Sequence, residues 1–472
     1  MENQGRSQPS EAPKSGAAAG TGNGGANKAS RLAVWSWVLY DFSNTVFSIS
    51  ILTYFFPVWL GSELEAGADV FNYAAAGSAL LVALTAPFLG AVADLRQRRL
   101  PYLVALTVLA VLFTAGLGFA GGVLLGVALF VAANVAYQSA LVFYDALLPS
   151  VSTGRGAGTV SGYGTAAGYI GAIFALAVLT LFVTDEFLGF AFGGPEAVRE
   201  FLGPLGGWID TGDEPSKNAF LPTAVLFLLF SLPTFFFVPD RAVRRPRSVN
   251  LTATYRGVFS TVRNLRAYAG LGTFIAATLL YTDAANTAIT NMGLYGREVF
   301  GMEQAQTTNL LLFSTIFAGV GSLGFGYVSD RVGPKKALVG VLVAWIVAIV
   351  LAAVAVAPWM LVLAGPLVGA ALGGTWTVSR VMLIALSPAE KLGEFFGIYS
   401  LAGKLSAVAG PAITAGLLTA LEGYGTLNYR IAVGSLALIV ALGLFLLLRV
   451  PDIRPDPSVE EFAPESAAGA PK

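Results

Sequence analysis

Tyr40-Asp41-Phe42-Ser43-Asn44-Thr45-Val46-Phe47-Ser48 sets a polar cluster inside an apolar run that extends from Leu32 to Leu60. Asp41, Asn44, Thr45 and Ser48 are spaced i, i+3, i+4 and i+7, so on a helix they share one face. The pattern returns once. Tyr281-Thr282-Asp283-Ala284-Ala285-Asn286-Thr287-Ala288-Ile289-Thr290 puts Asp283, Asn286, Thr287 and Thr290 on one face of a second apolar run. The two copies of Asp-x-x-Asn-Thr stand 242 positions apart in a chain of 472, which points to two related halves. A carboxylate within an apolar segment of membrane length is expensive, and by default it marks a permeation pathway or a proton relay.

Composition agrees with that setting. The chain is 55% hydrophobic and 12% charged, against about 25% charged in ordinary soluble domains. Many apolar runs reach the roughly 20 residues that a helix needs to cross a bilayer. Helices and closed barrels are the spanning structures a bilayer permits, and continuous apolar runs exclude the alternating pattern of a barrel. The expected fold class is therefore all-α integral membrane. Cysteine and histidine are absent, which excludes disulfides, thiolate nucleophiles, imidazole bases and His/Cys metal ligation. No cofactor, metal or catalytic constellation is expected, and with zero formal net charge no nucleic-acid partner.

Residues 1–30 are rich in Gly, Ala, Ser, Asn and Pro and read as a disordered tail; the first apolar run is too long for a signal peptide. Twelve spans are expected at 33–60, 72–93, 101–121, 122–148, 160–184, 219–239, 267–292, 307–329, 336–357, 358–386, 394–420 and 429–449. With both termini cytoplasmic, the inner side holds 22 of the 28 Lys and Arg and the outer side four; Arg380 and Lys404 fall inside spans. That bias sets the orientation. An acidic, Gly- and Pro-rich loop over 185–218 lies outside. The basic segment 240–266 lies inside, where Val258, Phe259, Val262 and Leu265 alternate with Arg256, Arg263 and Arg266 at helical spacing. It reads as a helix on the anionic inner leaflet or as a plain basic linker. The expected domains are the tail 1–30, a six-helix bundle 31–239, the linker 240–266, a second bundle 267–450 and a disordered tail 451–472.

The repeat extends beyond the two acids. Gly90-x-x-x-Asp94-Leu95-Arg96 ends the second span and Gly326-x-x-x-Asp330-Arg331 the eighth. Ala146-Leu147-Leu148-Pro149 matches Ala385-Leu386-Ser387-Pro388, and Ala167-Gly168 matches Ala402-Gly403. These elements resemble the major facilitator superfamily. Trp37 to Asn44 with Phe55-Phe56-Pro57-Val58, Tyr281 to Thr287, Gly373-Gly374-Thr375 with Ser379-Arg380, and Glu394 to Lys404 together resemble its subfamily of autophagy-related vacuolar amino-acid effluxers and bacterial permeases. The resemblance covers about 31 to 450. It implies two pseudo-symmetric six-helix bundles around a central cavity, alternating access by rocking and, weakly, amino-acid efflux. One departure concerns depth. Asp41 lies 10 residues beyond Arg31 and Asp283 lies 17 beyond Arg266, so the acids differ by about 10 Å in depth, unless the residues after Arg266 still belong to the surface.

In that fold the first, fourth, seventh and tenth helices line the cavity. Candidate lining residues are Asn44, Thr45, Asn134, Tyr137, Gln138, Asn286, Thr287, Trp376 and Arg380, with Lys404 from the eleventh. Asp41 and Asp283 are expected as proton or solute relays, because in a chain without histidine buried carboxylates are the natural carriers; the alternative is that each pins helices through Asn44 and Asn286. Arg380 suits bidentate binding of a solute carboxylate and equally a structural ion pair with Asp283 or Asp41. Lys404 is expected to pair with Glu394 or a cavity acid, and Asp145 with a gate residue or Arg155. By the resemblance, Asp94 and Arg96, with Asp330 and Arg331, are conformational latches at the starts of the eleventh and fifth helices, with Asp145 in the same gating group. The glycines Gly162, Gly164, Gly168 and Gly171 suit close helix packing. Gly397 to Lys404 departs from a phosphate loop at Leu405, and Gly319 to Gly324 lacks a preceding strand.

The expected function is a secondary active transporter of a small polar, carboxylate-bearing solute such as an amino acid, coupled to protons and working as a monomer in a cell membrane, a bacterial inner membrane rather than a vacuolar one. The rival is a drug or metabolite exporter with a promiscuous apolar cavity; a membrane sensor or embedded enzyme ranks below both.

Overall fold

The computed structural model describes residues 30–152, 156–187, 190–191, 193–240, 249–406 and 409–453. Arg155, the four arginines of 241–248 and most of both tails lie outside the described residues. The described chain is helical apart from a two-residue ladder that pairs Glu186–Phe187 with Phe190–Ala191. Eleven of its helices are long and apolar enough to cross a membrane. In order they are Arg31–Glu63, Asp69–Arg96, Leu100–Leu117, Val123–Ser152, Ala157–Thr180, Pro215–Phe237, Gln304–Val332, Pro334–Val354, Pro358–Leu386, Ala389–Ala420 and Thr426–Leu448. The twelfth member, seventh in the chain, is Leu271–Phe300, 30 residues long. Its polar face, with Thr282, Asp283 and Thr287 buried inside the protein, lowers its mean hydropathy without making it shorter.

The first six and last six helices form two bundles, each with its own cluster of large side chains. One is built around Trp37, Phe47, Phe56, Trp59, Phe130 and Tyr144, the other around Phe274, Tyr281, Leu342, Trp345, Phe395 and Val440. Val82, Ala86, Val142 and Ala146 of the first bundle pack into the second cluster. Aromatic rings dominate the first: Phe56 stacks on Phe130 at 4.3 Å and Phe47 on Tyr137 at 4.3 Å. The first helix changes winding where its polar face ends. Ser48–Tyr54 and Trp59–Glu63 adopt π-helical turns on either side of Pro57, a winding that re-aims side chains and recurs at functional sites.

Helix ends follow their sequence signals. Asp240 accepts from the backbone N–H of Arg99 and Leu100 and so caps the third helix, satisfying donors that a helix start leaves unpaired. Gly270, at φ +76°, and Gly301, at φ +65°, bracket the seventh helix; glycine adopts this left-handed geometry without steric penalty. The expected start at 267 is therefore four residues early. Residues 265–267 form a separate 3₁₀ turn, and the chain after Arg266 still belongs to the surface. Counted from their helix starts, Asp41 stands 10 residues in and Asp283 stands 12. The difference is about 3 Å of rise rather than the 10 Å expected from the flanking arginines.

The repeat shifts register in the eleventh span, which comprises Leu392–Leu405 and Ala409–Ala420. The threonine one turn beyond each acid packs on a glycine. A Cβ on Gly168 would stand 2.8 Å from Thr45 Oγ1, and a Cβ on Gly410 would collide with Thr287 Oγ1. Gly410, 242 positions after Gly168, therefore occupies the place expected of Gly403.

Candidate functional site

The helices bring a buried charge cluster together across the two bundles. Arg380, on the tenth helix, directs Nε to Asp145 Oδ1 at 2.8 Å and a terminal nitrogen to Asp41 Oδ2 at 3.5 Å. Asp41 comes from the first helix and Asp145 from the end of the fourth, so one cation of the second bundle bridges two anions of the first. Asn44 donates to Asp41 Oδ1 at 2.9 Å and Tyr137 to Asn44 Oδ1 at 3.4 Å. The Asn44 bond fills a carboxylate lone pair that the guanidinium leaves free, as a desolvated carboxylate requires, and the Tyr137 bond satisfies the Asn44 amide oxygen.

Aromatic rings wall the cluster. Trp37 stacks on Tyr144 at 4.4 Å, and Tyr144 on Tyr40 at 4.9 Å. The guanidinium carbon of Arg380 lies 5.4 Å from the ring centres of both Trp37 and Tyr144, within cation–π range. Gly164 leaves the space: a Cβ there would stand 2.7 Å from Asp41 Oδ2 and 2.8 Å from the Trp37 ring. Gly168 and Gly171 seat the rest of the first helix, while Gly162 faces the eighth helix, 2.5 Å from Ser322 O to an added Cβ.

Three placements bear on the pairings expected from the sequence. Asp145 pairs with Arg380 inside the protein, where the fourth helix runs on to Ala146 and delivers the side chain inward; the other expected partner, Arg155, lies outside the described residues. Glu394 pairs with Lys391 at 3.5 Å, one turn before it; Lys404 lies ten residues deeper and half-buried. Arg380 takes Asp41, one of its two expected partners, together with Asp145; Asp283 is buried on the seventh helix beside Gly410.

Of the other expected lining residues, Thr45 and Thr287 donate back to the carbonyls of Asp41 and Asp283. Asn134 turns to the second helix, donating to Ser78 Oγ at 2.7 Å, so its amide is spent within the bundle. Gln138 and Asn286 are half-buried. Trp376 lies one turn from Arg380 on the same helix face and keeps 38% of its surface exposed. The inner face of the tenth helix is thus packed at Arg380 and open one turn beyond.

The hydrogen bonds that join the bundles gather at one end, here the latch end. Asp94 accepts from the N–H groups of Gly393 and Glu394 at 3.1 and 2.9 Å, at the start of the eleventh helix. Asp330 accepts from Gly158 N and Thr159 N, both at 2.7 Å, and from Thr159 Oγ1 at 2.6 Å, at the start of the fifth. Each carboxylate sits where the helix dipole and unpaired N–H groups favour an anion. The cation beside Asp94 is Arg99, at 3.0 Å, which also donates to Ala146 O and Ala389 O. Arg96, expected as a latch residue with Asp94, is exposed, and the left-handed Gln97 ends the helix just beyond it. Arg331 is exposed too and lies over the Tyr327 ring at 4.4 Å. Sequence reading missed Arg99, Trp37 and Tyr144. The Arg96-Gln97-Arg98-Arg99 run offered three equivalent cations, and nothing in the sequence separates a wall tyrosine from a core one.

Comparison with known proteins gives these features a class. The fold matches that of the human organic anion transporter MFSD10, with a TM-score of 0.65 at 14% identity over 88% of this chain and 99% of that one. An uncharacterised major-facilitator-type transporter of Bacillus subtilis, YxiO, is 27% identical over 433 residues, 88% of this chain and 94% of its own. The multidrug resistance protein MdtG of Salmonella paratyphi C is 28% identical over 224 residues, 46% of this chain and 53% of its own. The protein is a multi-pass membrane protein and a secondary transporter of the major facilitator class. Within that class the chain belongs to the vacuole effluxer Atg22-like family, whose model matches residues 154–455.

Proposed function

We propose that the protein carries a small, carboxylate-bearing polar solute of the amino-acid type across a bacterial inner membrane by proton-coupled alternating access, with both termini cytoplasmic. The observation that carries this reading is the bridge from Arg380 to Asp41 and Asp145. Three largely shielded charges summing to −1, with Asp41 buried and Arg380 and Asp145 partly so, form the contact that must break when the bundles separate at the latch end. Protonating either acid leaves one acid to one guanidinium. A solute carboxylate reaching Arg380 from the open side competes for the same fork, and guanidinium and carboxylate match bidentately. Solute and proton then bias one two-state element, which is what coupling requires. Asp283, with Asn286 and Thr287, supplies the matching acid of the second half.

The rocking units are residues 31–239 and 267–450, linked through 240–266, acting as a monomer. Alternating access by rocking one repeat against the other around a fixed central site fits this architecture. The Asp94 and Asp330 contacts close the latch end in this conformation, leaving entry to the opposite end.

The aromatic wall and the partial match to MdtG favour a second reading, export of apolar compounds. Arg380→Ala separates the two when solute binding is measured by thermal stabilisation. A carboxylate carrier loses the shift given by its solute, and a carrier of neutral apolar compounds keeps it.

A further inference from the structure

The linker helix Leu251–Arg263 has an exposed apolar stripe and a docked face that serve neither bundle core. Leu251, Tyr255, Phe259 and Val262 recur at i, i+4, i+8 and i+11, and all four are exposed, Phe259 to 68%. The adjoining face, Thr254, Val258 and Thr261, turns to the protein, with Thr254 and Thr261 buried and Tyr255 tilted on Phe88 of the second helix at 5.8 Å. Arg256 and Arg263 flank the stripe on its other side at about a quarter turn. Every charged residue from Arg241 to Arg266 is an arginine, seven in all.

Such a helix has one suitable environment. Its docked face fixes it against the second helix, its apolar stripe suits the acyl boundary, and its arginines reach headgroups beside that boundary. The one-sign charge selects an anionic surface. We propose that this helix binds the anionic phospholipid of the leaflet at the latch end and thereby holds the Asp94 latch closed.

The connection to the latch is a short chain of contacts. Lys391 donates to Thr261 Oγ1 of the linker helix at 3.1 Å and to Tyr268 Oη at 3.0 Å. The same ammonium pairs with Glu394 at 3.5 Å, and the backbone N–H of Glu394 is one of the two N–H groups of the eleventh span that hold Asp94. A linker helix seated on lipid keeps Lys391 and the start of the eleventh helix in register with Asp94. When the helix lifts, that support is lost. The proposal concerns regulation of closure and stands whichever solute is carried.

The test uses the full-length chain in nanodiscs of phosphatidylcholine with increasing phosphatidylglycerol. Having no native cysteine, the chain accepts spin labels at Arg98→Cys and Ala389→Cys, which straddle the latch, and pulsed electron resonance reads the distance between them. The expected result is a short-distance population that rises with phosphatidylglycerol. In the Arg256→Gln/Arg263→Gln variant the apparent affinity for phosphatidylglycerol falls roughly thirtyfold, at about tenfold for each 1.4 kcal/mol and about 1 kcal/mol per basic residue at the surface, so the response no longer saturates over the same range. Phe259→Glu, which changes no cationic residue, weakens the response in the same direction. A distance distribution indifferent to phosphatidylglycerol, or an equal response in wild type and the double-arginine variant, overturns the proposal. Thermal unfolding of each variant in phosphatidylcholine alone confirms that the bundles remain intact.

Discussion

At the residue scale the account rests on a guanidinium shared by two carboxylates. Removing one partner of a buried pair costs about 3–5 kcal/mol, because the other is left charged and desolvated. Arg380→Ala strands two acids and is expected to lower the unfolding temperature as well as abolish solute-induced stabilisation. Arg380→Lys retains the charge without the fork. It should fold normally and weaken solute binding at least tenfold, which thermal-shift titration would show; unchanged affinity would count against carboxylate recognition. Asp41→Asn leaves Arg380 paired with Asp145 and is expected to keep solute exchange across the membrane while losing accumulation driven by a pH gradient. Normal accumulation in both Asp41→Asn and Asp283→Asn would remove these acids from the relay. The acids and the arginine were legible in the sequence because charge inside a membrane-length run is conspicuous. Of their pairing, Asp41 was one of two alternatives for Arg380, and Asp145 was not among them. Whether Arg380 meets Asp41, Asp145 or Asp283 depends on how the bundles approach each other, and no single helix encodes that.

At the scale of elements, closure of the latch end relies on glycines that let backbones touch. A Cβ on Gly397 would meet the backbone of Ala86 and Pro87 on the second helix, whereas Gly403 has nothing within 4 Å. Gly397→Val is therefore expected to hold the latch end open and Gly403→Ala to be silent. Cross-linking of paired cysteines at that end distinguishes them, and equal cross-linking in the two would contradict the packing argument. Asp330→Ala removes three hydrogen bonds to the start of the fifth helix. At roughly 2 kcal/mol, the closed-to-open ratio should fall about thirtyfold, read by the same cross-linking measure. The helices themselves were readable as apolar runs, and the Gly-x-x-x-Asp elements marked both latch positions. What the sequence left ambiguous were the breaks. Gly270 shifts the seventh helix by a turn, and in the eleventh span Gly410 stands where Gly403 was expected. Such breaks are set by backbone geometry that hydropathy does not register.

At the scale of the whole molecule, duplication supplies two bundles whose acids lie at similar depths but in different company. Asp41 is locked to Arg380, while Asp283 packs against the eleventh span. In the proposed mechanism solute and proton both act on the Arg380 bridge between the halves. The most direct measurement is uptake of pooled, labelled amino acids into proteoliposomes, with and without an imposed pH gradient, by the wild-type chain and by Arg380→Lys. Gradient-dependent accumulation by the wild type that collapses in Arg380→Lys is the predicted result. Accumulation indifferent to the pH gradient, or undiminished in Arg380→Lys, would contradict proton-coupled carriage through the Arg380 site.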